Sequence, residues 1–318
     1  MKDIINKFKN QNILVIGDLI LDKYIFGNVE RISPEAPVPV IEVKKEMYVP
    51  GGAANAANNV SSLGGRAFLL GIVGEDTSKD ILLEEARNKG ISTEGIITDP
   101  RKPTIQKIRV VGQNQQLLRI DYEDKSYIDN EEKIIERIKN KEKIGAILIS
   151  DYAKGTITKK LMKDVLGLAK KKNIILIIDP KPRHKSFYKS CYLITPNKKE
   201  AEEMTNMAIK TEEDLEKAGT KLMEELDCNV LITTGERGMS LFEKKNAPIH
   251  IPTLAKEVYD VSGAGDTVIA TLSLALSSRA SLKDAAVLAN HAAGIKVGKL
   301  GTAPVSAEEL KNSLDNNA

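Results

Sequence analysis

The sequence predicts an α/β fold: a Rossmann-like, doubly wound, mostly parallel sheet with a small β-sheet lid. Three observations predict it. Short β-branched runs recur from end to end, each nearly all apolar, as parallel strands covered on both faces must be. Helical patterns alternate with them. Two stretches, 24–43 and 104–122, break that rhythm with short alternating segments, turn residues and no helix of useful length.

Taken in order, the run at 13–16 gives the first strand and leads into Gly17-Asp18. A dinucleotide oxidoreductase would show G-x-G-x-x-G at that turn, which counts against one. Gly51-Gly52 introduces a helix of small residues over 53–63, followed by a strand at 67–72 and a helix at 78–89. The helix at 130–140 carries opposite charges at helical spacing, a solvated face with no assigned function. Strands at 146–149, 174–178, 192–195 and 230–233 then alternate with helices at 158–172 and 211–226. Two apolar helices, 265–277 and 282–297, complete the pattern. The stretches 24–43 and 104–122 are expected to leave the sheet and form a β layer over its edge, a flap that excludes water from a reaction centre.

At 318 residues the chain can form one large domain, with this lid inserted in it. Its 47 basic and 44 acidic residues leave a net charge of +3, so no global field points to nucleic acid or a membrane surface. Aromatic residues make up 4% and Trp is absent, which argues against a base-stacking platform. Cys191 and Cys228 sit in or beside apolar runs and read as reduced, buried thiols. The N-terminus has no continuous apolar h-region, and the longest apolar runs are too short to span a bilayer. A cytoplasmic protein is expected.

The most informative string is Asp260-Val-Ser-Gly-Ala-Gly-Asp266, which opens an apolar helix. Gly263, Ala264 and Gly265 let backbone N–H groups converge where the helix dipole is positive, a ready anion site. Asp266 on the first turn puts a carboxylate beside that anion. A cradle for negative charge next to a fixed base suits phosphoryl transfer; alternatively the Asp helps cap the helix. Gly51-Gly52 lets backbone approach a ligand closely, and Asn55, one turn into its helix, offers an amide to a polyol. Asp18 and Asp22 follow the first strand, in the crevice where such sheets bind ligands, and can accept hydrogen bonds from vicinal hydroxyls or cap a loop.

Asn197-Lys198-Lys199-Glu200 follows Pro196 and reads as an N-cap with Glu200 in a capping box. In a kinase the same Asn197 and Glu200 would hold metal-bound water beside a triphosphate. Lys181, in Asp179-Pro-Lys, can reach a transferring phosphoryl group as a point charge. The turn Thr233-Thr234-Gly235-Glu236-Arg237-Gly238 suits nucleotide phosphates, or is a plain hairpin turn. No Walker A, no H-R-D loop and no G-x-S-x-G elbow occurs. His184, His250 and His291 lack zinc-ligand spacing, and His291 faces the core or a nucleotide.

Gly51–Asn55 and Asp260–Asp266 together resemble the two signatures of the PfkB (ribokinase-like) carbohydrate kinases, over about residues 10–310. Narrower strings resemble the D-glycero-β-D-manno-heptose 7-phosphate kinases, the kinase half of bifunctional ADP-heptose enzymes. They are Gly17–Tyr24, the Pro-rich Arg31–Val40, Asn114–Arg119, Ser150–Gly155 and Val297–Thr302. Ser262 stands where the family signature usually has Thr, and both carry a hydroxyl.

The resemblance implies a ribokinase-like core whose β lid pairs as a clasp in a homodimer. It implies ATP and Mg²⁺ as cofactors and a sugar phosphate as substrate, phosphorylated at O1 to the 1,7-bisphosphate for lipopolysaccharide core precursors. It makes Asp266 the base and Gly263–Gly265 the anion hole. Asp18, Asp22, Gly51, Gly52, Asn55 and Asp151 would meet the sugar. Asn197–Glu200, Thr233, Thr234, Gly235, Gly238 and His291 would meet the nucleotide, and Lys181 the phosphoryl group. For the 7-phosphate, Lys107, Arg109 and Arg119 on the second lid segment are the candidates; Lys107 and Arg109 share a face if that segment is a strand. The H-x-G-H motif of the bifunctional relatives' nucleotidyltransferase is missing, so adenylyl transfer is expected from another polypeptide. The alternatives are a kinase of ribose, fructose or fructose 1-phosphate, and a catalytically silent regulator that binds nucleotide or sugar phosphate.

Overall fold

The computed structural model describes residues 1–113, 115–141, 143–255, 257–299, 301 and 303–315. Helix α1 (Lys2–Asn6) and strand β1 (Asn12–Gly17) lead at once into a long hairpin, β2 (Leu19–Ile32) and β3 (Pro39–Gly52). The chain returns through α2 (Ala53–Ser62), β4 (Arg66–Val73), α3 (Thr77–Asn88) and β5 (Ser92–Thr98). A second hairpin, β6 (Ile105–Gly112) and β7 (Gln115–Tyr122), precedes α4 (Glu131–Lys139). Next come β8 (Ala146–Ser150), α5 (Lys159–Lys172), β9 (Ile175–Asp179), β10 (Leu193–Ile194) and α6 (Lys198–Thr205). Helix α7 (Glu212–Leu226) and β11 (Asn229–Thr233) are followed by β12 (Met239–Phe242) and β13 (Ile249–Ile251). Three helices come last: α8 (Ala264–Ser277), α9 (Leu282–Val297) and α10 (Ala307–Asp315).

Nine strands form one sheet in the order β13-β12-β11-β10-β9-β8-β1-β4-β5. All neighbours are parallel except β11/β12 and β12/β13. The winding reverses around β1, which lies between β4 and β8, so the ligand crevice of such a sheet opens at the C-terminal ends of β1 and β8. Alternation along β1 fixes the two cores: Ile13 and Val15 point to the side covered by α2, α8 and α9, Leu14 and Ile16 to the side covered by α4, α5 and α7. Because both faces are covered, these strands read as unbroken apolar runs.

The second sheet has the order β3-β2-β6-β7, with β2 and β6 parallel. Both hairpins fall on the stretches that broke the sequence rhythm, but the first extends well beyond 24–43: β2 opens at Leu19 and β3 runs to Gly52. The expected strand at 192–195 shrinks to Leu193–Ile194, because Pro196 has no N–H to give and Asn197 already caps α6. Strand β5 escaped the sequence reading. It is an edge strand, mostly half-buried, and Glu94 and Gly95 interrupt its apolar run. Among the described residues no helix is long and apolar enough to cross a membrane. Asn114, Leu300 and Thr302 of the motif strings lie outside the described residues.

Candidate active site

Gly263 caps α8 with φ +77°, a left-handed conformation that favours glycine, and a Cβ there would lie 3.0 Å from Asn55 Nδ2. Behind this turn the N–H groups of Gly263, Gly265 and Asp266 find no acceptor among the described residues. Ala264 is a correction to the expected donor set: its N–H bonds to the Val261 carbonyl at 3.2 Å. The turn therefore offers fewer free donors than its glycine content suggested, at the positive end of a helix of 14 residues.

Asp266, 6% exposed, is held from two sides. Asn55 Nδ2 donates to its Oδ2 at 2.6 Å and the Tyr152 hydroxyl to its Oδ1 at 3.3 Å. Burial raises its carboxyl to about 6, against the hydrogen bonds from Asn55 and Tyr152 and the charge of Lys181, which favour the ionised form. It is thus ionised at neutral pH and poised close to it. Asn55 Oδ1 is buried and meets no donor among the described residues.

Gly51 and Gly52 do permit a close approach, but to the protein itself. A Cβ on Gly51 would overlap the Asp22 carboxylate, and one on Gly52 (φ +58°) the Asp18 carbonyl oxygen. Asp22 pairs in register with Lys107, and Arg109 directly opposes Arg119. These side chains share the face of the second sheet that meets Tyr152, where the Lys107 ammonium lies 5.5 Å from the ring centroid. Arg109 Nη1 donates to Asp22 Oδ1 at 2.6 Å, and Arg119 is exposed and forks onto Asp121 at 2.8 and 3.0 Å. Lys107 alone of the three has no carboxylate in ion-pairing reach among the described residues. Burial lowers its pKa, with the charges of Lys154, Arg109 and Arg119 acting the same way and the Asp22 carboxylate opposing them.

Two of the carboxylates expected at the sugar are fully buried and engaged by the protein itself. Asp18 is fully buried, and its carboxylate accepts the N–H groups of Tyr152 (2.9 Å), Lys154 (3.1 Å) and Thr156 (3.0 Å). Burial and the nearby Asp151 raise its pKa. Asp151 is equally buried: Oδ2 meets His184 Nδ1 and the Tyr188 hydroxyl, both at 2.7 Å, and Oδ1 accepts Ala153 N–H at 2.7 Å. Both carboxylates are taken up by the loop at the end of β8 and the side chains packed behind it. A carboxylate at a strand terminus looks the same in sequence whether it serves the crevice or the backbone beside it.

Across the α8 turn a cavity of about 100 Å³ brings Gly265 together with Asp179, Lys181, Asn197, Glu200 and Thr233. Lys181 ion-pairs with Glu200 Oε1, and Asp179 beside it holds its charged form despite burial. Burial and Glu200 push the Asp179 carboxyl well up. Asn197 and Glu200 form the full capping box of α6: Asn197 Oδ1 accepts Glu200 N–H at 2.9 Å, and Glu200 Oε2 accepts Asn197 N–H at 3.0 Å. Lys198 and Lys199 flank it on the first turn, Lys199 exposed. Thr233 pairs with Asn197 as an isolated parallel bridge, so the next turn lies alongside. There the Thr234 hydroxyl donates to the Gly238 carbonyl at 3.0 Å, closing the turn, while Gly235 stays open. His291 is mostly buried, bonds Ser313 Oγ at 2.8 Å, and lines a separate cavity of about 550 Å³ with Leu254, Tyr259 and Gly294. Among the described residues no cluster of three His, Cys, Asp or Glu side chains is placed to hold a metal directly.

The sequence pattern of the pfkB family carbohydrate kinases matches residues 10–309, both signatures included. The chain belongs to that family. Relatives named "Bifunctional protein HldE" include one from Geobacter sulfurreducens, 46% identical over 307 residues, and one from Aliarcobacter butzleri, 44% identical over 306. These alignments take in 95% of this chain but 63% and 64% of the relatives, so the kinase spans somewhat under two thirds of their length. The ribokinase of Thermotoga maritima is similar with a TM-score of 0.74 at 26% identity, over 96% of this chain and 100% of its own. The Arabidopsis thaliana ribokinase solved with ribose and ATP shares the fold, with a TM-score of 0.76 at 21% identity over 96% and 98%.

Several residues of the kinase's site had no assignment from sequence. Asn59 and Thr267 carry on the α2–α8 seam begun by Asn55 and Asp266, with Thr267 Oγ1 donating to Asn59 Oδ1 at 2.7 Å. Lys296, 1% exposed, donates to the Gly301 carbonyl at 2.6 Å behind Gly263. Its signal was visible: a lysine in the otherwise apolar last turns of α9. Tyr152 sat inside a quoted motif with no role given.

Proposed function

We propose that the protein transfers the terminal phosphoryl group of ATP to O1 of D-glycero-β-D-manno-heptose 7-phosphate. The observation that carries this reading is the pairing of two features across one crevice. On one wall the Asn55–Asp266 pair abuts the α8 turn; on the other an unpaired Lys107 sits in a cationic strand face. A sugar whose reacting hydroxyl meets Asp266 and whose phosphate meets Lys107 uses both features, which Tyr152 joins through its hydroxyl and its ring. The subfamily strings and the relatives named HldE support the same substrate.

Asp266 orients O1 and takes its proton as the O1–P bond forms and the bond between the β-phosphate's bridging oxygen and the γ-phosphorus breaks, releasing ADP. An anomeric hydroxyl is more acidic than an ordinary alcohol, so a carboxylate near 6 is an adequate base late in transfer. The free N–H groups at Gly265 and Asp266, the α8 dipole and Lys181 oppose charge on the migrating group. Asn55 Oδ1 and Asp22 accept sugar hydroxyls. The phosphates of ATP run past Thr233, Gly235 and Asn197, and its base enters the His291 cavity. Mg²⁺ would neutralise phosphate charge there; Asp179, Asn197 and Glu200 supply oxygen acceptors suited to holding it through water, the mode expected of a site with few direct ligands.

The test is ADP release from ATP with a panel of heptose 7-phosphate, ribose, fructose and fructose 1-phosphate. Heptose 7-phosphate should give the highest kcat/KM, with a product phosphorylated at the anomeric carbon. A better sugar overturns the substrate assignment, and no ADP with any of them supports a silent regulator.

The setting is cytoplasmic, where ATP is available, and the protein is a homodimer clasped through its second sheet. Leu118 and Ile120 on β7 are 54% and 39% exposed, opposite Val110 and Ile108, on the face turned away from Lys107 and Arg109. Replacing Leu118 and Ile120 together by Lys should shift the mass in solution from dimer to monomer. An unchanged dimer would place the interface elsewhere.

A further inference from the structure

We propose that Tyr152 is a positioning residue that stabilises the ionised form of Asp266 and separates the sugar-phosphate cation from the triphosphate cation. This rests on the kinase reading above.

The backbone around Tyr152 is held with unusual care. Ala153 has φ +54°, a left-handed conformation that is strained for a non-glycine residue. Such a conformation persists where its surroundings over-determine it. Two buried carboxylates do so here: Asp18 accepts the N–H of Tyr152, Lys154 and Thr156, and Asp151 that of Ala153. Asp151 is in turn fixed by His184 and Tyr188. Burying two carboxylates to shape one loop is costly, and the loop's most evident product is the direction of the Tyr152 side chain.

That side chain does two things. Its hydroxyl donates to Asp266 Oδ1 at 3.3 Å, a bond that favours the carboxylate over the acid and so works against burial. Burial and the charge of Asp266 drive the phenol's own pKa well up, so it remains a donor at every working pH. Its ring has the Lys107 and Lys181 ammoniums at 5.5 Å each, one from the second sheet and one from the end of β9. An aromatic ring attracts each of these cations, so Tyr152 gives both a fixed place, one reached from each element. The sugar's far phosphate and the triphosphate then meet different lysines.

Tyr152→Phe keeps the ring and loses the donor. With the ionised form less favoured, the pKa of Asp266 rises, and the acid limb of kcat/KM moves upward by roughly half to one pH unit. At pH 8, above both limbs, activity should remain within about tenfold of wild type. Tyr152→Leu loses the ring as well and should raise KM for both the sugar phosphate and ATP severalfold over the Phe variant. An acid limb that superimposes on that of wild type overturns the donor role. Equal KM values in the Phe and Leu variants overturn the separating role. Asp266→Asn, run beside them, distinguishes failures: if it keeps its turnover, the kinase reading of Asp266 falls. If it is dead while the Phe limb stays put, the inference about Tyr152 falls alone.

Discussion

Asp266→Asn is expected to lower kcat by about 10²–10⁴-fold, the range for loss of a positioned proton acceptor. The affinity for ATP should stay near that of the wild type, because the Asp266 side chain lines neither of the cavities proposed for the nucleotide. The asparagine is almost isosteric and can still accept from Asn55, so the site's geometry survives. Stability supplies an internal control. With a carboxyl raised to about 6 in the folded state against an ordinary 3.8, the folded protein binds more protons than the unfolded chain between those values. Stability from this group is therefore present at low pH and falls as pH rises from about 3.8 to 6. Removing the charge should leave the melting temperature at pH 7.5 unchanged or higher. In the wild type, kcat/KM should drop tenfold per pH unit below about 6. Steady-state kinetics, nucleotide titration and thermal melting test this together; a variant retaining most of its kcat would remove Asp266 from the base role.

Lys107→Ala should raise KM for heptose 7-phosphate by about 10–100-fold, the equivalent of losing a charge-assisted hydrogen bond to phosphate. KM for ATP and kcat should change by less than about twofold, since a contact to the remote phosphate is made equally in ground and transition states. The choice among three cations follows from their partners. Arg119 is exposed and forked onto Asp121, and Arg109 holds Asp22, so a phosphate would have to compete with a carboxylate for either. Among the described residues Lys107 has no carboxylate within ion-pairing distance, Asp22 acts on it only through space, and burial strengthens its interaction with an incoming anion. Arg119→Ala should move KM by no more than about twofold. Arg109→Ala should act on both sugar contacts, because it also frees Asp22. Initial-rate kinetics with both substrates varied settles the matter: an unmoved KM for the sugar phosphate in Lys107→Ala rejects the assignment.

The α/β alternation was legible because parallel strands covered on both faces must be apolar throughout, and runs such as 146–149 can hardly be read otherwise. The glycine turn before α8 was legible for a local reason too: a left-handed residue at a helix start needs glycine, and the donors follow from the helix itself. Edge strand β5 was not, since half-burial blurs the same signal, and β10 was legible but shorter than the run at 192–195 because a proline follows it.

What the sequence by itself determined is therefore the kind of fold, the glycine turn that opens α8 and the set of polar residues near it. Tertiary structure alone decided which of them face the crevice. Asp18 and Asp22 stand four residues apart, yet one is folded onto backbone donors 134–138 residues away while the other meets Arg109 across two strands. Asn55 and Asp266 meet across 211 residues of chain. A side chain's role here depends on which donor or charge fills its surroundings, and those neighbours come from distant segments that only the packing of helices and sheets brings together.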